Sequence, residues 1–338
     1  MRETHGQEAD GDAVCRAPAG SYLRCSRAGG CLALLLVITI TTGAAPGSQP
    51  LGPQIAAPQE PITPVPPSPP ADPLKLALGE QLFVDPRLSH DGTLNCSSCH
   101  DLHSNGADSK RVRTARDGSV MTFNIPTVFN AALSFRLNWE GNFRTLEEHA
   151  ESSLENPANL ATNAEEVLKK LDADPEVVRQ FTQAYGRPPD RTSLLDAIAT
   201  YERSLLTPGS RFDRWLDGDA AALSVEEENG YQLFKSLGCI SCHQGVNIGG
   251  NLFERHGIFH PLASPKPEIL RVPSLRNVAT TPPYFHDGSA PTLRKAVRKM
   301  ALAQLDETLS DQQIESIVAF LNTLTGTYRG VPVAAAPP

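Results

Sequence analysis

Two copies of the pattern C-x-x-C-H constrain this chain of 338 residues more than any other feature. The pattern places two thiols on one helical turn, where each can add to a vinyl group of a haem. The histidine that follows can bind the iron. The first copy consists of Cys96, Cys99 and His100, and the second of Cys239, Cys242 and His243. The sequence therefore predicts two covalently attached c-type haems.

A C-x-x-C pair is also found in redox-active dithiols and in zinc sites, so both are alternatives to haem for this chain. Each copy is followed directly by histidine, which neither alternative requires. After Cys31 the chain has no cysteine outside the two copies, so none remains for a disulfide or a further zinc ligand. The haem interpretation is therefore favoured.

An apolar run over residues 31–40 follows Arg24 and Arg27 and precedes several small residues. The run has about half of the roughly 20 residues that a membrane-spanning helix needs. It predicts a signal peptide over residues 1–45, with an uncleaved N-terminal membrane anchor as the alternative. Because c-type haem is attached outside the cytoplasm in bacteria, export predicts a periplasmic protein.

Residues 46–73 contain eleven prolines and show no hydrophobic periodicity. They predict a proline-rich linker that forms an extended tether without a core.

The net charge of the chain is −8. Loss of residues 1–45 would leave it unchanged, because that segment carries four basic and four acidic residues. An acidic protein is a poor partner for nucleic acid and suits a basic or mixed-charge redox protein. The alternative is that the negative charge reflects only the generally acidic surface of a soluble protein and indicates no particular partner.

The chain also contains an internal repeat around the two haem patterns. The motif G-x-Q-L-F begins at Gly79 and again at Gly230, upstream of each pattern. Downstream, the motif P-[ST]-[VL]-x-N-x-A begins at Pro126 and at Pro273. A period this long indicates two related domains and not a solenoid.

The predicted fold is all-α, with two tandem cytochrome c-like domains that each carry one covalent haem. We place the N-terminal domain at residues 74–220 and the C-terminal domain at 221–328. Ser224 and Ser310 begin sequences typical of capping boxes, so a helix is expected after each. Apolar residues at helical spacing predict a packed face on the last helix: Ile314, Ile317, Val318, Leu321 and Leu324.

The two domains differ where a sixth iron ligand is expected. In the repeat, Trp139 aligns with His286, and Met300 lies fourteen residues after His286. Met300 is the candidate ligand of the second haem, and a His/Met pair gives a comparatively high reduction potential. The equivalent position of the first domain is Ser153, which predicts an open iron. His149, one helical turn earlier, is a candidate proton-transfer group, with a surface histidine as the alternative.

These features together resemble the bacterial di-haem cytochrome c peroxidase family, which includes the MauG-like enzymes, over residues 74–326. The motifs that carry the resemblance are both C-x-x-C-H copies, L-G-x-x-L-F-x-D-P-R-L-S from Leu78, P-T-V-F-N from Pro126, L-L-T-P-x-S-R-F-D from Leu205 and A-x-x-x-P-Y-F-H-x-G from Ala279.

The resemblance implies further site residues. It implies an electron-transfer tryptophan between the haems, here Trp139, for which a core aromatic is the alternative. It also implies a calcium ion, held by the side chain of Asn124 and the carbonyl groups of Thr281 and Pro283.

Three positions depart from the family pattern. Arg116 stands where many of the peroxidases have a removable histidine ligand on the first haem. Asn159 occupies the position of the catalytic glutamate, and His149 that of a nearby glutamine. The first change implies a permanently open haem, and the others make His149 the substitute acid–base group.

The resemblance implies an enzyme that reduces hydrogen peroxide to water with electrons from a small c-type cytochrome or a cupredoxin. The alternative is a MauG-like enzyme that oxidises a tryptophan or tyrosine of a partner protein through a ferryl haem. A non-enzymatic electron carrier is disfavoured because it has no use for an open iron. The oligomeric state stays open, a homodimer included.

Overall fold

The computed structural model describes residues 60–116 and 118–336, and these residues form a mostly helical fold. The helices are α1 (Pro73–Phe83), α2 (Leu146–Glu155), α3 (Ala164–Asp172), α4 (Pro175–Tyr185), α5 (Arg191–Ser204), α6 (Arg211–Leu216), α7 (Val225–Ser236), α8 (Leu293–Leu305) and α9 (Asp311–Asn322). The strands form two antiparallel pairs, β1 (Phe253–Arg255) with β2 (Ile269–Arg271) and β3 (Thr327–Tyr328) with β4 (Val331–Pro332). The predicted helical architecture is confirmed, and the short strands are an addition to it.

The predicted signal peptide and the first part of the linker lie outside the described residues. Within residues 60–116 and 118–336, every helix is too short or too polar to cross a membrane.

Side-chain caps determine where several helices begin. Ser224 before α7 and Ser310 before α9 both form the predicted capping boxes, because each hydroxyl accepts a hydrogen bond from the third residue of its helix. Thr145 and Glu148 form the same arrangement at the start of α2. This cap sets the register of α2, the helix that carries His149.

The repeated glycines lie at close helix crossings in the two halves. A Cβ atom at Gly79 of α1 would clash with the backbone carbonyl oxygen of Ala197 in α5. A Cβ atom at Gly230 of α7 would clash in the same way with Ser316 in α9. The G-x-Q-L-F motif is therefore required by close packing of a helix pair in both repeats.

Equivalent asparagines of the two repeats meet at one threonine. Asn130 and Asn277 are both in the left-handed conformation, with φ of 60° and 58°. Their Nδ2 atoms donate hydrogen bonds of 2.7 and 2.9 Å to the same hydroxyl oxygen, that of Thr207. All three side chains are buried, so this contact joins the two repeats directly.

The predicted apolar face of the last helix lies in the core of the second repeat. Ile314, Ile317, Leu321 and Leu324 are buried there, and Val318 packs at the edge.

The expectation of a tether without a core is wrong for residues 60–65. Ile62 and Val65 are buried, with exposures of 2% and 4%, and Ile62 belongs to the core of the second repeat. An extended proline-rich backbone leaves its carbonyl groups free, and Thr63 accepts a 2.8 Å hydrogen bond from Nη2 of Arg276. The segment therefore docks through two apolar side chains and through hydrogen bonds such as this one.

Candidate haem sites and the region between them

The first C-x-x-C-H copy forms a tight turn. Asn95 caps a short 3₁₀ helix over Cys96–Ser98, and the amide of His100 donates to the carbonyl of Cys96 at 3.0 Å. The Nδ1 atom of His100 lies 3.0 Å from the carbonyl oxygen of Gly106. This contact fixes the ring and leaves Nε2 as the atom that can bind a metal.

The second copy repeats this geometry. Cys239–Ser241 form a 3₁₀ turn, the amide of His243 donates to the carbonyl of Cys239 at 3.0 Å, and Nδ1 lies 3.3 Å from the carbonyl oxygen of Ile248. Burial lowers the pKa of His243 to about 4 and also lowers that of His100. Both rings are therefore neutral near pH 7, the state in which imidazole binds iron.

The alternatives to haem fit the two sites poorly. Burial raises the pKa of the Cys96 thiol to about 12 and that of Cys239 to about 11, whereas a redox-active dithiol needs a lowered value. Among the described residues there is no cluster of three or more His, Cys, Asp or Glu side chains that could hold a metal ion, as zinc would require. Paired thiols with an adjacent neutral imidazole suit covalent haem.

His149 lies on α2 in a setting that keeps its ring neutral. Its ring contacts that of Phe143 edge-on, with centroids 5.4 Å apart. Burial lowers the pKa of His149 to about 4, and its electrostatic interactions with the neighbouring His100 ring and with the Arg271 guanidinium act in the same direction. The structure thus brings His149 towards the first C-x-x-C-H turn.

Arg116 and Asn159 lie close to each other near the end of α2. The amide of Arg116 donates to the carbonyl of Ala158 at 3.3 Å, next to Asn159. The guanidinium of Arg116 pairs with Asp91 at 2.8 Å, while its buried Nε atom has no hydrogen-bond partner. Two positions at which the chain departs from the family pattern are therefore neighbours.

Trp139 lies at the contact between the repeats. Its Nε1 atom donates a 2.7 Å hydrogen bond to the carbonyl of Asn124, and its ring lies edge-on to that of His286, with centroids 6.3 Å apart. The amide of Asn124 in turn donates to the carbonyl of His286 at 2.7 Å. Asn124 is thus held beside the segment that contains Thr281 and Pro283, while calcium binding there stays a prediction.

Met300 lies on the inner side of α8. Leu293, Ala296 and Val297 pack into the core that also contains Cys239, and Met300 follows them at helical spacing. The half-buried Met300 side chain therefore lies on the same side of α8 as these core residues. Its ligation of iron stays a prediction.

Sequence patterns did not indicate two ionisable groups with buried side-chain atoms in this region. Arg271 at the end of β2 is 8% exposed. Glu202 on α5 has a buried Oε2 atom without a hydrogen-bond partner, and burial, followed by the charge of Glu147, raises its pKa to about 8. A single arginine in a short strand and a glutamate in an amphipathic helix have no distinctive spacing, so only the structure identifies them.

Comparisons with known proteins agree with this arrangement. Residues 73–221 match the family model described as di-haem cytochrome c peroxidase, and residues 227–325 match the cytochrome c model. The relative named cytochrome c peroxidase Ccp, from Escherichia coli K12, is 39% identical over 80% of this chain and 62% of its own length. Cytochrome c551 peroxidase of Nitrosomonas europaea is 36% identical over 84% of this chain and 90% of its own length.

A solved structure shows the same architecture. The crystal structure of a MauG-like protein associated with microbial copper homeostasis superposes with a TM-score of 0.68 and 26% sequence identity. The match covers 78% of this chain and 93% of that protein. This chain therefore accounts for nearly all of the MauG-like protein, but for less than two thirds of the Escherichia coli relative.

Proposed function

Because this chain belongs to the bacterial di-haem cytochrome c peroxidase family, we propose that it reduces hydrogen peroxide to water with electrons from a small redox protein. The observation that carries the proposal is the contrast between two equivalent helices. In α2, Ser153 offers no strong iron ligand and His149 is half-buried near His100, whereas α8 has Met300 at the equivalent position. One site is thus suited to chemistry and the other to electron storage.

Two haems, when bound through the four cysteines, supply an open iron for peroxide at the first site and a redox centre at the second. His100 and His243 would bind the two irons through their imidazoles, and Met300 would be a further ligand of the second iron. The chain's own contribution to chemistry at the first site is proton transfer.

His149 is suited to move that proton. With a pKa of about 4 the ring is neutral near pH 7, so it can accept a proton from hydrogen peroxide and deliver it to the departing oxygen. Asn159 cannot replace it as an acid or base because an amide does not titrate, but it can orient the substrate by hydrogen bonds.

Trp139 is proposed as the electron relay between the sites. Its indole contacts the ring of His286 and is tied to Asn124, so it bridges the two repeats through fixed contacts. A calcium ion held by the side chain of Asn124 and the carbonyls of Thr281 and Pro283 would hold the same contact together.

The remaining assignments follow from the family and the sequence. We propose a periplasmic protein with domains at residues 74–220 and 221–328. The donor is proposed to be a small c-type cytochrome or a cupredoxin, with a basic or mixed-charge surface that suits the net charge of −8.

Steady-state peroxide consumption tests the proposal. The matured protein with two haems is mixed with a reduced small cytochrome c or cupredoxin, and donor oxidation is followed after peroxide is added. A variant with both Cys96 and Cys99 replaced by alanine, which retains only the second attachment site, is the matched control and should be inactive. No peroxide-dependent donor oxidation by the two-haem protein would overturn the proposal.

Arg116 favours a second candidate function, that of a MauG-like enzyme. An arginine stays protonated and cannot serve as a removable iron ligand, and here it pairs with Asp91. The first haem would then be open without prior reduction, as the resemblance to MauG-like enzymes implies. Mass spectrometry of partner proteins after peroxide treatment distinguishes the two functions, because only this one leaves an oxidised tryptophan or tyrosine on a partner.

A further inference from the structure

Arg271 is a buried cation without a counter-ion among the residues that the structure describes. Its Nε atom donates a 2.9 Å hydrogen bond to the carbonyl of Asn138, and its Nη1 atom donates a longer one of 3.4 Å to the carbonyl of Val272. Both acceptors are neutral, and they occupy two of the five N–H donors of a guanidinium. Taking such a charge out of water is costly unless an anion accompanies it.

Arg276, five residues further along the chain, is a buried arginine whose charge is balanced by a carboxylate of the same protein. Its exposure is 2%, and its Nη1 atom lies 2.7 Å from Oδ1 of the equally buried Asp213. Its guanidinium also donates to the carbonyls of Val246 and Thr63, with a longer 3.5 Å contact to Oγ of Ser210. Arg271 has no such carboxylate within the described parts of the chain, so its anion must come from another source.

The surroundings of Arg271 indicate where that anion lies. The amide of Arg271 donates to the carbonyl of Trp139 at 2.9 Å, which places the residue at the contact between the repeats. The charge of Arg271 lowers the pKa of His149, and the electrostatic interaction of His149 with the His100 ring acts in the same direction. Arg271 therefore comes from the second repeat but lies beside groups of the first haem site.

We propose that Arg271 binds a propionate carboxylate of the first haem. A propionate is the carboxylate that a covalent haem would bring to this region, and a guanidinium matches it through two parallel N–H···O contacts. The inference rests on the presence of the haem and not on the proposed peroxidase activity. Because burial lowers the pKa of Arg271 only to about 10, the side chain keeps its charge near neutral pH.

A charge at this position has a measurable effect on the haem. Reduction adds an electron to the iron centre, and a nearby cation stabilises the reduced form. The same cation keeps the propionate ionised over the physiological pH range. Without Arg271, the first haem should be harder to reduce, and its potential should change with pH as the propionate titrates.

Spectroelectrochemical titration of both haems in the wild type and in Arg271→Gln, at several pH values between 5 and 8, tests this. We expect the reduction equilibrium constant of the first haem to fall at least tenfold, about 59 mV for a one-electron couple, and to become pH-dependent. The second haem should change little. The matched control is Arg255→Gln, which removes an exposed arginine of β1, paired with Glu268, and should move neither potential.

Unchanged potentials in a folded Arg271→Gln protein would overturn the proposal. A shift confined to the second haem would overturn the assignment to the first. If the glutamine variant fails to take up two haems, Arg271→Met, which keeps an apolar stem, and Arg271→Lys are measured instead. A lysine keeps the charge but not the two-pronged contact, so Arg271→Met should lower the potential of the first haem more than Arg271→Lys does, and equal potentials in these two variants count against the proposal.

A shifted potential in a protein without peroxide turnover would leave this inference standing and contradict the proposed function.

Discussion

The rings of Trp139 and His286, which occupy equivalent positions of the two repeats, lie edge-on to each other with centroids 6.3 Å apart. Each follows a residue in the left-handed region, Asn138 with φ of 62° and Phe285 with φ of 72°. A positive φ is unusual for a bulky residue such as phenylalanine, so the surrounding structure must hold it there. One repeated turn thus directs both rings to the contact between the repeats.

We expect the first haem to be high-spin in the resting oxidised protein, because Ser153 and Arg116 offer no strong sixth ligand. Electron paramagnetic resonance or resonance Raman spectra check this. The variant Ser153→Met places a methionine at the position equivalent to Met300 and should convert the signal to low-spin. Two purely low-spin haems in the wild type would show that another ligand occupies the iron.

His149→Ala should slow peroxide turnover by about 10²–10⁴, the typical contribution of a positioned proton-transfer group. Haem content and spin state should stay unchanged, because the histidine is not expected to bind the iron. His260→Ala, which removes a histidine that pairs with Asp306 at the surface, is the control. Turnover within about twofold of wild type would show that His149 is not the proton-transfer group, and Glu140, Glu155 and Asn159 would be tested next.

Met300→Ala should leave both haems attached, abolish the methionine-to-iron absorption band and lower the potential of the second haem. The absorption spectrum and a redox titration measure these changes. Met121→Ala is the control, because it removes the only other methionine in the described residues and lies far from α8 in sequence. An unchanged band would mean that a different residue binds the second iron.

Glu202→Gln should change how stability depends on pH. Burial raises the pKa of Glu202 to about 8 in the folded protein, while the unfolded chain has an ordinary carboxyl pKa near 4.5. Between pH 4.5 and 8 this carboxyl is ionised in the unfolded chain but still protonated in the folded protein. The free energy of unfolding of the wild type therefore falls as pH rises from about 4.5 to 8. Because glutamine does not titrate, the variant should not lose stability in this way.

Urea unfolding of the matured proteins at pH 5 and pH 8 checks this expectation. The two midpoints should be close at pH 5, and the variant should be the more stable protein at pH 8. A difference between the midpoints that is the same at both pH values would mean that Glu202 ionises normally.

The parts of the site that depend on spacing could be predicted, and those that depend on three-dimensional burial could not. Both haem turns, the two capping boxes and the equivalence of Trp139 with His286 follow from residue order alone. The burial of Arg271 and Glu202 depends on which segments pack over them, and no local pattern records that. Ile62 was missed because proline-rich composition is typical of linkers whether or not an apolar residue within them docks.

The docking of Ile62 has a consequence for any attempt to divide the protein. Residues 60–65 precede the first repeat in the chain, yet Ile62 lies in the core of the second, and Tyr231 donates a 2.5 Å hydrogen bond to Glu60. A fragment that starts at residue 221 would therefore leave a vacant groove in its own interior. The same fragment would also lack Phe212, Trp215 and Leu216, which precede residue 221 and belong to or pack against that core.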